Sequence, residues 1–162
     1  PLPIGEGQTI SQPFIVASMT SLLELEPTDR VFELGTGSGY QAAIASRVAA
    51  KVFSMEIHPT LAERAEKVLV SLRYDNVTVR AGDGYNGWSA EAPFDAILVT
   101  AAATHIPPPL LDQLKPGGRM VVPVGPAFST QRLMLVEKDA KGEVRTRALY
   151  PVRFVPLAGS RE

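Results

Sequence analysis

The run Arg30-Val-Phe-Glu-Leu-Gly-Thr-Gly-Ser-Gly-Tyr40 decides the fold. Its first five residues, Arg30–Leu34, carry the branched and aromatic side chains of a strand. Gly35, Gly37 and Gly39 then alternate with Thr36 and Ser38 in a turn whose backbone must bend without a Cβ in the way. Tyr40 opens a helix to about Val48. Further along the chain the same rhythm repeats. Lys51–Glu56 reads as a strand, and Pro59 opens a helix to about Leu72. Val77–Arg80 is a third strand, and Phe94–Thr100 is a fourth with the continuous apolar centre of a strand covered on both faces. A short helix near Pro109–Leu114 leads through Lys115-Pro-Gly-Gly118 into a fifth strand, Arg119–Val124.

Upstream, Phe14, Ile15, Met19, Leu22 and Leu23 recur at three- and four-residue spacing, which predicts a helix over Pro13–Leu25 behind an opening loop, Pro1–Gly5. Downstream of Gly125, Arg132–Lys138 and Val144–Val155 read as two strands joined by Asp139-Ala-Lys-Gly142. The expected architecture is α/β: a doubly wound, mostly parallel sheet with a C-terminal antiparallel hairpin on one edge. No internal repeat or low-complexity linker divides the chain. A single domain over 1–162 is expected, with the loop and helix in 1–29, a ligand-binding βα core in 30–124 and the C-terminal strands in 125–162.

Composition narrows the function classes. Of 162 residues, 45% are hydrophobic and 20% charged, which excludes a disordered chain. Sixteen basic against seventeen acidic side chains leave a net charge of -1, so no nucleic-acid partner and no membrane surface are expected. Cys is absent, which removes disulfides, thiolate metal sites and cysteine nucleophiles and fits a cytoplasmic protein. His58 has no companion ligands at metal spacing, so no metal is expected.

The glycine turn admits two cofactor classes. A dinucleotide fingerprint G-x-G-x-x-G/A needs a small residue at position 40, where this chain has Tyr40. The spacing G-x-G-x-G, preceded by Glu33, fits instead the loop of enzymes that use S-adenosyl-L-methionine (SAM). Glu56 ends the second strand about twenty residues after Gly35, where an acidic side chain accepts hydrogen bonds from both ribose hydroxyls. It serves NAD and SAM proteins alike, and its bland alternative is a solvated strand-end carboxylate outside the core. Gly82-Asp83-Gly84 adds a carboxylate between glycines at the same edge, able to reach an adenine amino group or to form an ordinary turn.

Together Gly7-Gln-Thr-Ile-Ser-Gln-Pro13, Glu33–Tyr40, Gly82-Asp-Gly84, Ala92-Pro-Phe-Asp-Ala-Ile97, Val99-Thr-Ala-Ala102 and Val152-Arg-Phe-Val-Pro-Leu157 resemble the protein-L-isoaspartate O-methyltransferases. The resemblance runs from Leu2 to Leu157 and implies a class I SAM-dependent methyltransferase of Rossmann-like fold. The first and last segments are its specific part. Family members carry helices upstream of Leu2-Pro-Ile-Gly5, and position 1 here is proline rather than methionine. The expectation is therefore a chain whose upstream part is missing.

The resemblance implies methyl transfer from SAM to the α-carboxylate of L-isoaspartyl residues in damaged proteins and peptides, initiating repair through a succinimide, with S-adenosyl-L-homocysteine as product. It gives Thr9, Ile10 and Ser11 as the loop over the active site and Ser11 as the catalytic residue. Ser11 also sits where a helix N-cap would, just before Pro13. Expected cofactor contacts are Thr9, Ile10, Ser11, Glu33, Gly35, Gly37, Gly39, Glu56, Asp83, Gly84 and Thr100. Expected substrate contacts are Ser11, Ala101, Val152, Phe154, Val155, Pro156 and Leu157, the last five in a segment that binds peptide as an added strand. Tyr85 and Trp88 read as packing residues. Two other readings remain at this point: a small SAM methyltransferase with a different acceptor, and a non-catalytic nucleoside-binding domain.

Overall fold

The computed structural model describes residues 2–159; Pro1 and residues 160–162, the ends of the expected domain, lie outside the described residues. The opening segment is a small antiparallel hairpin rather than a loop, with β1 (Pro3–Gly5) paired to β2 (Gln8–Thr9). The Arg64 guanidinium donates to the Ile4 carbonyl and Thr60 Oγ1 donates to Glu6 at 2.8 Å, so the hairpin is tied to the chain's centre. Helix α1 (Pro13–Leu22) follows, three residues shorter than its apolar spacing predicts. Its buried face is Val16 and Met19, continued by Leu23, whereas Phe14, counted above as part of the apolar stripe, is 70% exposed.

The central elements are β3 (Arg30–Leu34), α2 (Tyr40–Ser46), β4 (Lys51–Glu56), α3 (Pro59–Ser71), β5 (Val77–Ala81), β6 (Phe94–Val99), α4 (Pro108–Gln113), β7 (Leu114–Val124), β8 (Gln131–Lys138) and β9 (Val144–Val152). One seven-stranded sheet runs β5-β4-β3-β6-β7-β8-β9. The pairings from β5 to β7 are parallel, and β8 and β9 add antiparallel at the far edge, as expected. β7 starts five residues earlier than predicted. A register irregularity between Phe94 and Ala96 absorbs Lys115-Pro-Gly-Gly118, and a Cβ on Gly118 would stand 2.7 Å from the Asp95 carbonyl.

Both sheet faces are covered, which is why the parallel strands read as unbroken apolar runs. On one face Met19 and Leu23 of the α1 region and Ala42 and Ala45 of α2 cover Val31, Val52, Leu98 and Leu133. On the other, Phe32 stacks on Phe94 with ring centres 5.2 Å apart, and Leu110 of α4 closes over Met120, Val122 and Val136. The chain leaves β3 for β4 on one side and returns to β6 on the other. The strand order therefore reverses between β3 and β6, and ligands of open α/β sheets bind at the carboxyl ends of the strands flanking such a switch point.

Candidate functional site

A cleft of ≈ 760 Å³, open on one side, lies at that switch point. Its floor is the loop Leu34–Ser38, held by hydrogen bonds on both sides. Gly35 N–H donates to Met55 O at 2.8 Å, and Thr100 N–H donates to Leu34 O at 2.9 Å. The Thr100 hydroxyl proton is shared between Gly35 O at 2.6 Å and Leu34 O at 3.0 Å. Gly35 has φ +99°, and a Cβ there would stand 2.5 Å from Thr100 Oγ1. Gly37, at φ +53°, faces the cleft with only the Ile4 side chain within 4 Å of an added Cβ. Both positions use a backbone region that side chains disfavour, and the second leaves a cradle that a side chain would fill.

Glu56 lines this cradle and is 4% exposed, so it is not the solvated strand-end carboxylate that its sequence position also allowed. Its Oε2 accepts Gly37 N–H at 2.8 Å and its Oε1 accepts His58 N–H at 3.1 Å. Each carboxylate oxygen has a second lone pair, which leaves an acceptor pair for vicinal hydroxyls. Thr9, Ile10 and Ser11 also line the cleft, with Ile4 and Gln8 from the hairpin. Ser11 does not cap α1. The cap position is Gln12, no side chain bonds the first turn, and the Ser11 hydroxyl makes no hydrogen bond among the described residues.

Beyond Val152 the chain leaves the sheet edge, three residues before β9 was expected to end. Residues 154–157 cross instead to the exit of β6. Ala102 N–H donates to Val155 O at 2.8 Å, Leu157 N–H donates to Ala102 O at 2.8 Å, and Ala102 and Pro156 form an isolated parallel bridge. This strap lines the cleft through Val155, Pro156 and Leu157, beside Gly84, Thr100 and Ala101. Its far side borders a second, smaller cleft of ≈ 380 Å³ containing the pair Tyr85 Oη and His105 Nε2, 2.9 Å apart. Trp88 packs edge-on against Phe53 at 5.7 Å, a partly buried residue at the margin of the core.

Five expected site residues lie outside the main cleft. Glu33 is fully buried beneath the loop, with Ser54 Oγ donating to its Oε2 at 2.5 Å and Ser54 in turn 2.5 Å from Thr36 Oγ1. Its Oε1 has no hydrogen-bond partner. Burial pushes the Glu33 carboxyl up to about 8; the Ser54 bond opposes this and the Glu56 charge adds to it. Glu33 is thus an uncharged acid at neutral pH. Gly39 is the cap residue just before α2 and lies against Leu69 and Ala65 of α3, a helix–helix role. Asp83 caps its own turn, Oδ1 accepting Tyr85 N–H at 3.0 Å, and lies against Gly159. Such short loops back to the local backbone are what Asp favours in turns. Val152 is buried in the sheet and Phe154 packs against the α1 face.

The cleft also contains residues not expected from the sequence. Ile57 and His58 follow Glu56 at the end of β4, where the strand-end rule that found Glu56 also points. Ile4 and Gln8 arrive only through the hairpin, which has no strong sequence signature. Among the described residues no group of three His, Asp or Glu is placed to hold a metal, and no helix is long and apolar enough to cross a membrane.

Comparison with known proteins gives this geometry a family. The sequence profile of protein-L-isoaspartate(D-aspartate) O-methyltransferase (PCMT) matches residues 1–162. Protein-L-isoaspartate O-methyltransferase 2 of Syntrophobacter fumaroxidans is 64% identical over 159 residues, 98% of this chain and 64% of that protein. The enzyme of the same name from Polaromonas sp. is 62% identical, over 99% of this chain and 76% of the relative. A solved protein-L-isoaspartate O-methyltransferase superposes with TM-score 0.88 at 32% identity, covering 98% of this chain and 51% of its own. A putative member from Plasmodium falciparum, solved in complex with S-adenosyl-L-homocysteine, gives TM-score 0.79 at 26% identity, over 98% of this chain and 79% of that one. The chain thus spans just under two thirds of the first relative's length and about half of the first solved chain. With the profile matched from end to end and the cleft at the switch point of the same fold, this chain belongs to the protein-L-isoaspartate(D-aspartate) O-methyltransferase family.

Proposed function

We propose that the cleft binds S-adenosyl-L-methionine and that the chain transfers its methyl group to the α-carboxylate of L-isoaspartyl residues in damaged proteins and peptides. The observation that carries this reading is the pairing of a nucleoside cradle with an acceptor wall in one cleft. Glu56 stands beside the Gly37 backbone, and Ser11 and the Val155–Leu157 strap line the same cleft. The residues present fit the group: Gly37 leaves room for a close approach, and Glu56 keeps acceptor capacity for ribose hydroxyls. Cytoplasmic residence and isoaspartyl-containing protein partners belong to the same proposal.

Bound SAM supplies an electrophilic methyl on a sulfonium sulfur. The acceptor is already a carboxylate, so the new O–C bond forms as the S–C bond breaks, S-adenosyl-L-homocysteine leaves as a neutral thioether, and no proton is removed. The chain's part is alignment and exclusion of water. The Ser11 hydroxyl, with no partner among the described residues, is available to donate to the acceptor carboxylate. The strap's main chain offers hydrogen bonds that do not depend on the peptide's side chains, as in recognition by strand addition. That would let one site serve many damaged sequences.

The test is methyl transfer from labelled SAM to an isoaspartyl peptide and its aspartyl twin, with SAM affinity measured by calorimetry. Turnover of the isoaspartyl peptide alone is the expected result. Transfer to another acceptor would replace the substrate assignment, and SAM binding without any turnover would identify a nucleoside-binding domain.

Two variants examine the walls separately. Glu56→Ala should weaken SAM binding by about 1.5–3 kcal/mol, the range for hydrogen bonds to a charged group. Because Glu56 also accepts from Gly37 and His58, the melting temperature should fall as well. Unaltered affinity would remove Glu56 from the site. Ser11→Ala should leave stability within about 0.5 kcal/mol, as expected where no cap bond is lost. It should lower kcat/KM for the isoaspartyl peptide by about 100-fold, the cost of a misplaced reactant. A kcat/KM within twofold of the parent would exclude a catalytic Ser11.

A further inference from the structure

Gln131 is the first residue of β8, is 1% exposed, and lies outside the residues lining either cleft. A primary amide is a poor choice for a core position unless its donors and acceptor are used. Here three bonds are made. Nε2 donates to Ser129 O at 2.8 Å and to Pro126 O at 3.1 Å, and Oε1 accepts Phe154 N–H at 2.9 Å. One carboxamide therefore ties the loop between β7 and β8 to the point where the strap begins.

The partners explain why this matters. Ala102 holds the strap through backbone groups alone, at Val155 and Leu157. Those bonds set the pairing, and they would tolerate a strap whose first residue wandered. The Gln131 bond to Phe154 N–H fixes that first residue. Alternation along an extended segment then turns Phe154 O and Pro156 O to the edge away from Ala102. The same carboxamide holds the loop whose Ala127 borders the second cleft and whose Phe128 is 90% exposed at φ +57°. None of its hydrogen bonds reaches Gly35–Ser38 or Glu56.

We propose that Gln131 is a positioning residue for the acceptor. Its carboxamide sets the register in which the Phe154–Leu157 strap presents main-chain groups to the isoaspartyl peptide, independently of the cofactor cradle. This rests on the function proposed above.

The experiment compares the parent chain with Gln131→Met, which keeps the volume and loses all three bonds, and Gln131→Glu, which keeps an acceptor for Phe154 N–H. Three readouts are taken below the melting temperature of each: peptide KM and kcat, SAM affinity by calorimetry, and amide hydrogen exchange. Gln131→Met should raise the isoaspartyl peptide KM at least tenfold, with SAM affinity within twofold and exchange accelerated at Phe154 and Leu157 but not at Gly37. Gln131→Glu should fall between Gln131→Met and the parent. An unchanged peptide KM in Gln131→Met overturns the proposal, as does a rise in peptide KM matched by an equal loss of SAM affinity. If the parent binds SAM but methylates no isoaspartyl peptide, the functional reading fails by that result. The positioning claim then stands or falls on whether exchange at Phe154 and Leu157 accelerates.

Discussion

Gly37→Val is expected to fold and to lose SAM binding by more than 100-fold. The added Cβ meets only the Ile4 side-chain tip, at 3.2 Å, so the fold can accommodate it. The branched side chain resists φ +53° at a cost of roughly 1–2 kcal/mol and projects into the cradle beside Glu56. Gly35→Val is the contrasting case. Its Cβ strikes Thr100 Oγ1, whose hydrogen bonds join β6 to the loop, so both folding and binding should suffer. Calorimetry with SAM, alongside a melting curve, separates the two effects. A folded Gly37→Val that binds SAM like the parent would make the loop purely structural and would sink the cofactor assignment.

Above pH 8, Glu33→Gln should be more stable than the parent, by as much as about 5 kcal/mol if the whole shift is expressed in folding. The Glu33 carboxyl is held at about 8 in the folded chain against an ordinary value of 4.5. Between those values the folded state holds a proton that the unfolded chain has released. Stability supplied by the neutral acid is complete below about pH 4.5, declines as pH rises, and is gone above about pH 8. Gln cannot ionise and can still accept from Ser54, so its stability profile should be flat across that window. Asp95 does not interfere. Burial works against its charge, but Arg30 N–H and Lys115 outweigh burial and hold its carboxyl below 3.8, so its contribution is lost only in stronger acid. Urea midpoints of both proteins from pH 4 to pH 9 are the measurement. Parallel profiles would show that Glu33 is ionised in the fold.

The glycine turn, the strand before it and the carboxylate at the end of β4 were legible in the sequence because each follows from a local rule. Backbone approach demands glycine, and a strand end at a switch point demands a polar group. What escaped depends on which face a side chain takes or on partners distant in sequence. Glu33 reads as a ligand contact from its place before the glycines. A strand buried on both faces has no polar alternation to tell which way residue 33 points, and here it points under the loop. Phe14 satisfies the helical spacing as well as Met19 does, yet α1 ends early and turns Phe14 outward. The first half of the strap, Phe154 and Val155, reads as the end of β9. The strap leaves the sheet because Ala102 and Gln131, more than fifty and more than twenty residues upstream, capture its backbone, and no pattern within Val152–Leu157 announces them.

Three consecutive residues, Thr100, Ala101 and Ala102, leave β6 between the two halves of the cleft. Thr100 is bonded to Leu34 and Gly35 of the glycine loop, and two residues on, Ala102 is bonded to both sides of the strap. A displacement of the loop large enough to move Thr100 therefore has only the two peptide planes of Thr100–Ala102 to cross before it meets the strap. In the proposed reaction the two ligands are linked through this segment. Whatever factor the nucleoside changes in peptide affinity, the peptide must return in nucleoside affinity. On that reading, release of the methyl ester and of S-adenosyl-L-homocysteine would be a joint event, passing through the same few hydrogen bonds where β6 ends.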